Sequence, residues 1–251
     1  MSDFKEEIVS SAKATDKTLN AFIFFFLFVA ISIVSFNIIR NRPDDDGTPG
    51  PFRAVLNANE KLFGKFVSND HLAKTFPVSA AAHKVRFNGD AGLSDGFDPA
   101  AWKLQVVRHP GDTLFLTLDE IKALPKTDIV FDFKCIEGWS QVTHWGGVKF
   151  SDFVKKYGLD EQSKMNYVGL VTPDEQYYVG IDRKSILHPQ TILCYEMNGA
   201  PLPPDQGAPL RLIIPVKYGI KHLKRIGTIT FSDTRPKDYW FERGYDYFSG
   251  L

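Results

Sequence analysis

Cys135 is the residue whose type and position first indicate chemistry. It follows the strand-like run DIVFDFK and opens the segment CIEGWS, so its side chain is expected where a strand gives way to a glycine-containing turn. A thiolate is a soft donor that suits a transition metal, and Lys134 beside it could favour ionisation. A single Cys beside a strand is, however, more often an inert small hydrophobic residue. The local sequence therefore leaves both a metal ligand and a packed side chain open.

Basic residues form a second candidate group. Arg211 interrupts the apolar strand predicted at 210–214, so it requires either an internal acid or a bound anion. The densest basic cluster of the soluble part surrounds Tyr218-Gly219 and consists of Lys217, Lys221, His222, Lys224 and Arg225. Such clusters are usually solvated surface, although Lys side chains and backbone N–H groups near a glycine can also hold a phosphate. Both alternatives stay open for each feature.

The composition excludes several functional classes. Lys plus Arg equals Asp plus Glu at 30 each, so no overall field attracts nucleic acid. Cys135 and Cys194 form no CxxC pair, the six histidines form no HExxH pattern, and Cys194 is most simply a packed strand residue. Neither a strand-linked GxGxxG nor a GxxxxGKS or GxxxxGKT motif occurs. Any metal or charged ligand must therefore be held by a local set of residues.

Two motifs together resemble the sulfite oxidase family. The first is KCIEGWS at 134–140 followed by WGG at 145–147, and the second is GAPLR at 207–211 followed by PVKYGIK at 215–221. Their order and separation also match. The resemblance runs from about residue 85 to GYDY at 244–247 and is greatest to a bacterial branch that contains a periplasmic methionine sulfoxide reductase.

The resemblance implies a site as well as a fold. It implies an α+β domain of the sulfite oxidase type around one molybdenum-molybdopterin cofactor, with Cys135 as the catalytic thiolate on the metal. The further cofactor-binding residues implied by position are Asn88, Thr172, Gln206, Arg211, His222, Leu223 and Lys224. Gln206 stands where the bacterial branch carries Asn, and Val216 replaces its Trp, so pocket details are expected to differ.

The function implied is transfer of an oxygen atom to or from a small sulfur oxo-compound, with the cofactor supplying the redox chemistry. The chain carries no haem-attachment CxxCH and no iron-sulfur cysteine set, so electrons are expected to pass through a separate membrane-bound partner, either quinone-linked or haem-bearing. The alternatives are a cofactor-free or vestigial subunit of a membrane complex, indicated by Gln206 and Val216, and an anion-binding module without redox chemistry.

The amino-terminal region predicts a single-pass membrane anchor. Residues 18–39 carry no charge, and residues 21–39 read AFIFFFLFVAISIVSFNII. At about 1.5 Å per residue this run can cross the roughly 30 Å hydrocarbon core of a bilayer. A cleaved signal peptide is the alternative, although its apolar part is usually shorter. Lysines precede the run and arginines follow it at similar distances, so the side on which the soluble part lies is not predicted.

The remaining elements must position these residues. Runs rich in β-branched and aromatic residues predict strands at 102–107, 128–133, 167–171, 192–195, 210–214 and 226–231. Thr117 and Glu120 can form a capping box for a short helix through residue 124, and Ser151 can cap another through residue 157. The uneven spacing and short helices favour a mixed α+β domain over a doubly wound sheet.

The sequence predicts four segments. These are an N-terminal tail at 1–17, the transmembrane helix at 18–39, a linker and irregular segment at 40–83, and the molybdopterin-binding oxidoreductase domain at 84–251. Within the third segment, NRPDDDGTPGP at 41–51 is expected to stop a helix, and residues 56–66 predict a short amphipathic helix.

Overall fold

The computed structural model describes residues 11–65, 68 and 70–251, so residues 1–10 of the predicted tail lie outside the described residues. The chain divides into two compact units, with the division after Ala54. The first unit contains helix α1 (Ser11–Arg40) and the two-residue antiparallel strands β1 (Asp44–Asp45) and β2 (Thr48–Pro49).

Helix α1 includes the whole predicted span. Residues 15–40 form a helix that is long enough and, over most of its length, apolar enough to cross a membrane, and the side chains of that stretch are exposed or half-exposed. Its apolar residues are spread around the whole circumference, and a helix of this kind is a membrane span or the core of a large protein. Length and composition therefore agree with the predicted span.

Helix α2 (Gly50–Phe63) is longer at its start than the sequence predicted. The sequence pattern placed it at 56–66, of which residue 66 lies outside the described residues, and assigned Pro51 to a linker. Proline is tolerated in the first turn of a helix, where its missing N–H has no partner to lose. Pro51 therefore lies in the first turn of this helix and does not prevent it.

The second unit contains two five-stranded sheets and short helices. The strands in chain order are β3 (Leu104–His109), β4 (Asp112–Leu116), β5 (Lys126–Lys134), β6 (Ser140–Lys149), β7 (Tyr167–Val171), β8 (Tyr178–Asp182), β9 (Ile192–Met197), β10 (Ala200–Pro201), β11 (Arg211–Ile213) and β12 (Thr228–Ser232). The first sheet has the order β4-β3-β12-β7-β8 and the second the order β10-β9-β6-β5, with β11 also paired to β9. Only the β3–β12 pair among these described strands is parallel. This confirms the predicted mixed α+β class.

All six predicted strands are present, whereas the sequence did not predict β4, β6, β8 and the two-residue strands β1, β2 and β10. Helix α3 (Leu118–Lys122) begins at the predicted capping box, in which the Thr117 side chain accepts from the Glu120 N–H and Glu120 accepts from the Thr117 N–H. The N-cap position of helix α4 (Phe150–Lys156) is occupied by Lys149, whose side chain makes no capping hydrogen bond, so the prediction that Ser151 caps this helix is wrong. Ser151 already lies inside the helix because β6 runs directly into it. Helix α5 (Arg183–Ile186) follows β8.

The second sheet carries apolar clusters on both faces. Leu193 packs in the larger cluster, which also contains Leu104 of the first sheet and Phe153 of α4. The next residue, Cys194, points to the opposite face and is fully buried in a smaller cluster with Phe131 and Trp145, as expected for alternating strand side chains. Cys194 is thus the packed strand residue that the sequence predicted.

The chain before β3 also belongs to this unit. Residues 55–83, which the sequence assigned to the linker and irregular segment, lie in the same compact unit as residues 84–251. Thr75 forms an isolated antiparallel bridge with Phe131, and the N–H groups of Phe76 and Ala82 donate to the carbonyls of Val130 and Val142. This segment therefore runs along the β5–β6 hairpin before it reaches the cleft.

Candidate active site

The loop that joins β5 to β6 presents Cys135. The Cys135 N–H donates to the Trp139 carbonyl at 2.9 Å, and the Gly138 N–H donates to the Cys135 carbonyl at 3.1 Å. Gly138 has a φ of +88°, a conformation that favours glycine. The hairpin thereby closes in five residues and directs the Cys135 Sγ into a cleft.

The Cys135 thiol is 6% exposed, and burial raises its pKa. Lys134 is exposed, and the cation that favours the Cys135 thiolate is Arg86, although its effect is smaller than that of burial. The expectation that Lys134 activates the thiol is therefore not supported. A buried thiol of this kind loses its proton when a bound metal supplies the compensating charge.

The cleft lies on the face of the second sheet that carries the smaller cluster and holds about 970 Å³ of space, part of it open to solvent. Alternate residues of β6, namely Gln141, Thr143 and Trp145, form its floor. It brings together six of the eight predicted site residues: Asn88, Cys135, Gln206, Arg211, His222 and Lys224. The Asn88 Nδ2 lies 3.8 Å from the Cys135 Sγ and donates to it.

Arg211 is buried in the floor of the cleft without an acidic partner among the described residues. Its Nη1 donates to the carbonyl and the side-chain Oε1 of Gln206 at 3.0 and 3.1 Å, and its Nη2 donates to the His222 carbonyl at 3.4 Å. The guanidinium lies over the Trp145 ring at 4.6 Å, and the buried Nε has no hydrogen-bond partner there. Burial lowers the pKa of Arg211 to about 10, so the group stays cationic at neutral pH.

Lys224 adds a second cation to the cleft. Burial, and then the nearby Arg211, lower the pKa of Lys224 to about 7. Its Nζ donates to two backbone carbonyls, those of Asn88 at 3.1 Å and Gly89 at 2.8 Å. With a pKa of about 7, Lys224 is only partly protonated at neutral pH. Arg211 and Lys224 thus donate their hydrogen bonds to neutral groups, an environment in which a bound anion would stabilise their charged forms.

His222 is a neutral member of the site. Burial, and then Arg211, lower its pKa to about 3. Its Nε2 donates to the Lys217 carbonyl at 3.2 Å, which leaves Nδ1 to accept the Ile214 N–H at 3.5 Å. The ring also lies 4.7 Å from that of Phe133. His222 therefore contributes shape and backbone support without a charge.

The basic cluster around Tyr218-Gly219 does not act as one patch. The Lys217 Nζ donates to Asp182 Oδ1 at 2.7 Å, and the Lys221 Nζ donates to Asp238 Oδ2 at 2.5 Å. Both lysines are buried ion-pair members outside the cleft lining. Arg225 donates to the carbonyls of Ala208 and Ser94. Only His222 and Lys224 of this cluster reach the cleft.

Thr172 and Leu223 do not line the cleft with the other six residues. The Thr172 hydroxyl donates to Asp174 Oδ1 at 2.6 Å, and Leu223 is fully buried in the larger apolar cluster. The Leu223 carbonyl accepts from the Leu212 N–H, so its backbone holds β11 in place. Both residues support neighbours of the site through contacts that a motif match does not reveal.

Two motif glycines allow close backbone approach at the cleft. A Cβ on Gly207, whose φ is +101°, would lie 2.7 Å from the Lys224 Cβ and 2.8 Å from the Arg225 N. A Cβ on Gly219 would lie 2.8 Å from the Phe133 ring. Glycine at these positions lets the segments that carry Arg211 and His222 pack against the rest of the cleft.

Several cleft residues were not predicted, although some of them, such as Glu137 and Trp139, lie within the first motif. Glu137 accepts from the Trp139 Nε1 at 3.1 Å, and the Arg86 guanidinium lies over the Trp139 ring at 4.5 Å. Hydrogen bonds from Asn88 and then Trp139 hold the pKa of Glu137 below its usual range. Tyr177, Trp240 and Tyr245 complete the aromatic lining. The position of Glu137 two residues after Cys135 was the available signal, because a short loop returns both side chains to the same cleft.

Comparison with known proteins gives this arrangement a family. Residues 91–240 match the model of the oxidoreductase molybdopterin binding domain. The chain belongs to this family. As a member of it, the protein is a molybdopterin-dependent oxidoreductase with a molybdenum-molybdopterin cofactor, which confirms the family and cofactor predicted from the sequence.

Individual relatives carry related names. A putative protein-methionine-sulfoxide reductase subunit of Azospira oryzae is 35% identical over 82% of this chain and 79% of that protein. The catalytic subunit of the protein-methionine-sulfoxide reductase of Xanthomonas axonopodis is 34% identical over 54% of this chain and 47% of that protein, so this chain spans about half its length. The solved sulfane dehydrogenase SoxCD of Paracoccus pantotrophus aligns at 15% identity over 66% of this chain and 46% of that one, with a TM-score of 0.49.

The residues of this molybdopterin oxidoreductase fit the cofactor. The orphaned Nε of Arg211 and the unpaired charge of Lys224 suit an anionic group, and the Cys135 thiol suits a metal. Among the described residues, no group of three or more His, Cys, Asp or Glu side chains could hold a metal ion. Gln206 uses its Oε1 to orient Arg211, so its presence in place of Asn is compatible with a working site.

Proposed function

We propose that this molybdopterin oxidoreductase reduces a sulfoxide, with methionine sulfoxide as the substrate to test first. The names of the relatives from Azospira oryzae and Xanthomonas axonopodis support this choice. The reaction converts the sulfoxide, two electrons and two protons into a thioether and water. The bound cofactor supplies the two-electron change that oxygen-atom transfer requires.

The observation that carries the proposal is the unequal distribution of charge in the cleft. The cations Arg211 and Lys224 line it together with the Cys135 thiol, while Trp139, Trp240 and Tyr245 give it a largely aromatic wall. A neutral, polarizable sulfur compound suits such a wall. The anion that the cations require is then the cofactor itself and not the substrate.

The proposal assigns roles to the residues around Cys135. Cys135 is the metal ligand, and Asn88, Gln206, Arg211, His222 and Lys224 hold the cofactor, with Thr172 and Leu223 as supports outside the cleft. The Asn88 amide donates to the Cys135 sulfur and would favour its thiolate form. Glu137 is a carboxylate in the lining that accepts from the Trp139 Nε1, and its role is to orient this part of the cleft wall.

The same proposal includes a membrane anchor and a separate electron donor. Helix α1 is long and apolar enough to serve as the anchor through residues 18–39. The sequence contains neither a haem-attachment motif nor an iron-sulfur cysteine set, so a membrane-bound quinone-linked or haem protein is the donor class that we propose.

The direct test is turnover of methionine sulfoxide by purified full-length, cofactor-loaded protein with reduced viologen as the electron donor. We expect two viologen cations to be oxidised for each thioether formed. Cys135→Ser should lower the rate by about a hundredfold or more, because a metal ligand matters at least as much as the residues that surround it.

Cys194→Ala is the matched control, because Cys194 is the other cysteine and lies in the apolar cluster outside the cleft lining. It should retain activity. Wild-type turnover by Cys135→Ser would contradict the metal-ligand role. Turnover of sulfite with an electron acceptor, without sulfoxide reduction, would reverse the proposed direction.

A further inference from the structure

Residues 84–97 cross the cleft without helix or strand. We call this segment the strap. Its members Val85, Arg86, Asn88, Gly89 and Ala91 line the cleft, yet most of its side chains are exposed. A segment with few buried apolar contacts lies at the low end of local stability and opens more readily than the sheets beneath it.

The first attachment of the strap is the side chain of Gln141 on β6. Its Oε1 accepts from the Arg86 N–H at 2.8 Å, and its Nε2 donates to the Lys84 carbonyl at 3.1 Å. One amide side chain thus binds the strap backbone as a neighbouring strand would. Gln141 itself lines the cleft, so this attachment lies beside the cofactor site.

The second attachment is Lys224, and it lies next to the contact with the metal ligand. The Lys224 Nζ donates to the Asn88 and Gly89 carbonyls, while the Asn88 side chain donates to the Cys135 Sγ. An ammonium group has three donors, so two held by the strap leave one for an anion in the cleft. The strap therefore contacts both the cationic part of the site and its thiol.

The far end of the strap is held independently of the cleft. The Ser94 N–H donates to Asp174 Oδ2 at 3.3 Å, and Arg225 Nη1 donates to the Ser94 carbonyl at 3.2 Å. Gly92 lies so close to Thr172 that a Cβ would be 2.4 Å from the Thr172 Cγ2. This explains the position of Thr172, which anchors the strap without lining the cleft.

We propose that the strap opens to admit molybdopterin and closes over it, with Gln141 and Lys224 as latches and the Ser94 end as the anchor. The charged groups that would receive the cofactor lie on the floor of the cleft, where Arg211 is 2% exposed, and a bulky anion needs an opened path to reach them. An anion in contact with Lys224 keeps the ammonium charged and so strengthens its bonds to the strap carbonyls. A ligand that favours the closed form in this way shifts the strap toward closure.

The first test is amide hydrogen exchange of the full-length protein with and without the cofactor. The Arg86 N–H is a latch donor and reports on closure directly, whereas the Ser94 N–H lies at the anchored end and should change little. Exchange at residues 84–91 should slow by about tenfold or more when the cofactor is bound, while α4 exchanges equally in both forms. Equal exchange of the strap in both forms would overturn the proposal.

The second test uses a matched pair of glutamine variants. Gln190 makes the same two-bond attachment to the backbone of Ala73 as Gln141 makes to the strap, with its Oε1 at 2.7 Å from the Ala73 N and its Nε2 at 2.9 Å from the Ala73 O. We expect Gln141→Leu to speed loss of pterin from loaded protein by about tenfold, the effect of two lost hydrogen bonds, and Gln190→Leu to leave it unchanged.

The assignment of Gln141 as a latch would be contradicted by either of two results. One is loss of pterin from Gln141→Leu at the wild-type rate, and the other is equal acceleration of pterin loss by both variants. Hydrogen exchange and pterin loss both report on cofactor binding and need no substrate. The strap proposal can therefore be tested even if the protein does not reduce sulfoxides.

Discussion

At the residue scale, the cleft is defined by cations that lack acidic partners. Arg211 and Lys224 contact carbonyls and an amide, whereas the nearby Lys217 and Lys221 each pair with an aspartate. Buried charges are normally paired. Arg211 and Lys224 both line the cleft and form no ion pair within the described residues, so we infer that an anionic cofactor would be stabilised there. The charges of Lys217 and Lys221 are already neutralised by their aspartate partners, so these two lysines stabilise the fold and are not available to bind an anion.

The charge of Lys224 should make cofactor retention depend on pH. Burial and Arg211 lower the pKa of Lys224 to about 7 in the empty cleft, and a bound anion raises that pKa, so binding takes up a proton. Affinity is greatest below pH 7 and falls as the pH rises through and above that value. The fraction of pterin that wild-type protein retains at pH values between about 6 and 9 measures this dependence of affinity on pH. Lys224→Arg keeps its charge and should flatten the profile; a flat wild-type profile would contradict the assignment.

Arg211→Met should affect the two forms of the protein in opposite directions. The side chain is 2% exposed and its Nε is unpartnered, so a hydrophobic replacement should raise the free energy of unfolding of cofactor-free protein by about 1 kcal/mol. The same variant should bind little cofactor because an anion contact is lost. Urea unfolding together with pterin content tests both effects, and a variant that unfolds more easily and still loads cofactor would contradict this reading.

At the element scale, the second sheet builds the site because it is packed on both faces. Strands β6 and β9 approach closely at Gly147, where a Cβ would lie 2.1 Å from the Leu193 carbonyl oxygen and 2.7 Å from the Cys194 Cα. The pairing register shifts between Gly146 and Gly147. The WGG motif therefore serves the sheet, and only its Trp145 reaches the cleft.

Gly147→Ala should lower the free energy of unfolding by about 2 kcal/mol or more, because the new methyl group meets backbone that must move. Gly96→Ala is the control, since no atom lies within 4 Å of its added Cβ, and it should change stability little. Denaturant unfolding of both variants measures the difference. Equal stability of the two would show that the strands relax around the added group.

The sequence predicted a strand where its residues have a high strand propensity and also pair in the sheet. It missed a strand where residues of low strand propensity are nevertheless paired. Strand β7 was predicted at its observed bounds because its apolar, β-branched residues are buried in the core. Strand β6 was missed because its glycines and polar residues fit a cleft floor and a tight crossing, which local propensity does not register. The site was predicted by motif, but the pairing of Lys217 and Lys221 depends on aspartates distant in sequence.

At the scale of the whole molecule, the chain forms two compact units, and the second contains the cleft of the oxidoreductase domain. The apolar α1 belongs to the first unit, whereas every residue of the cleft belongs to the second. If α1 serves only to attach the protein to the membrane, the cofactor content should not depend on the presence of α1.

Removal of residues 1–40 should therefore shift the protein from the membrane to the soluble fraction without changing its molybdenum content. Viologen-dependent activity should persist, while activity driven by membrane-bound donors should fall because the partner is no longer held nearby. Fractionation followed by metal analysis measures this. A truncated chain that stays with the membrane would contradict the assignment of α1 as the anchor.

The central claim is that Cys135 binds the metal of this molybdopterin oxidoreductase, and molybdenum K-edge X-ray absorption of wild-type protein and Cys135→Ser tests it most directly. We predict that the variant loses one sulfur from the metal coordination shell while pterin is retained through Arg211 and Lys224. An unchanged sulfur shell in the variant would contradict the claim and leave Cys135 as a packed residue of the hairpin loop.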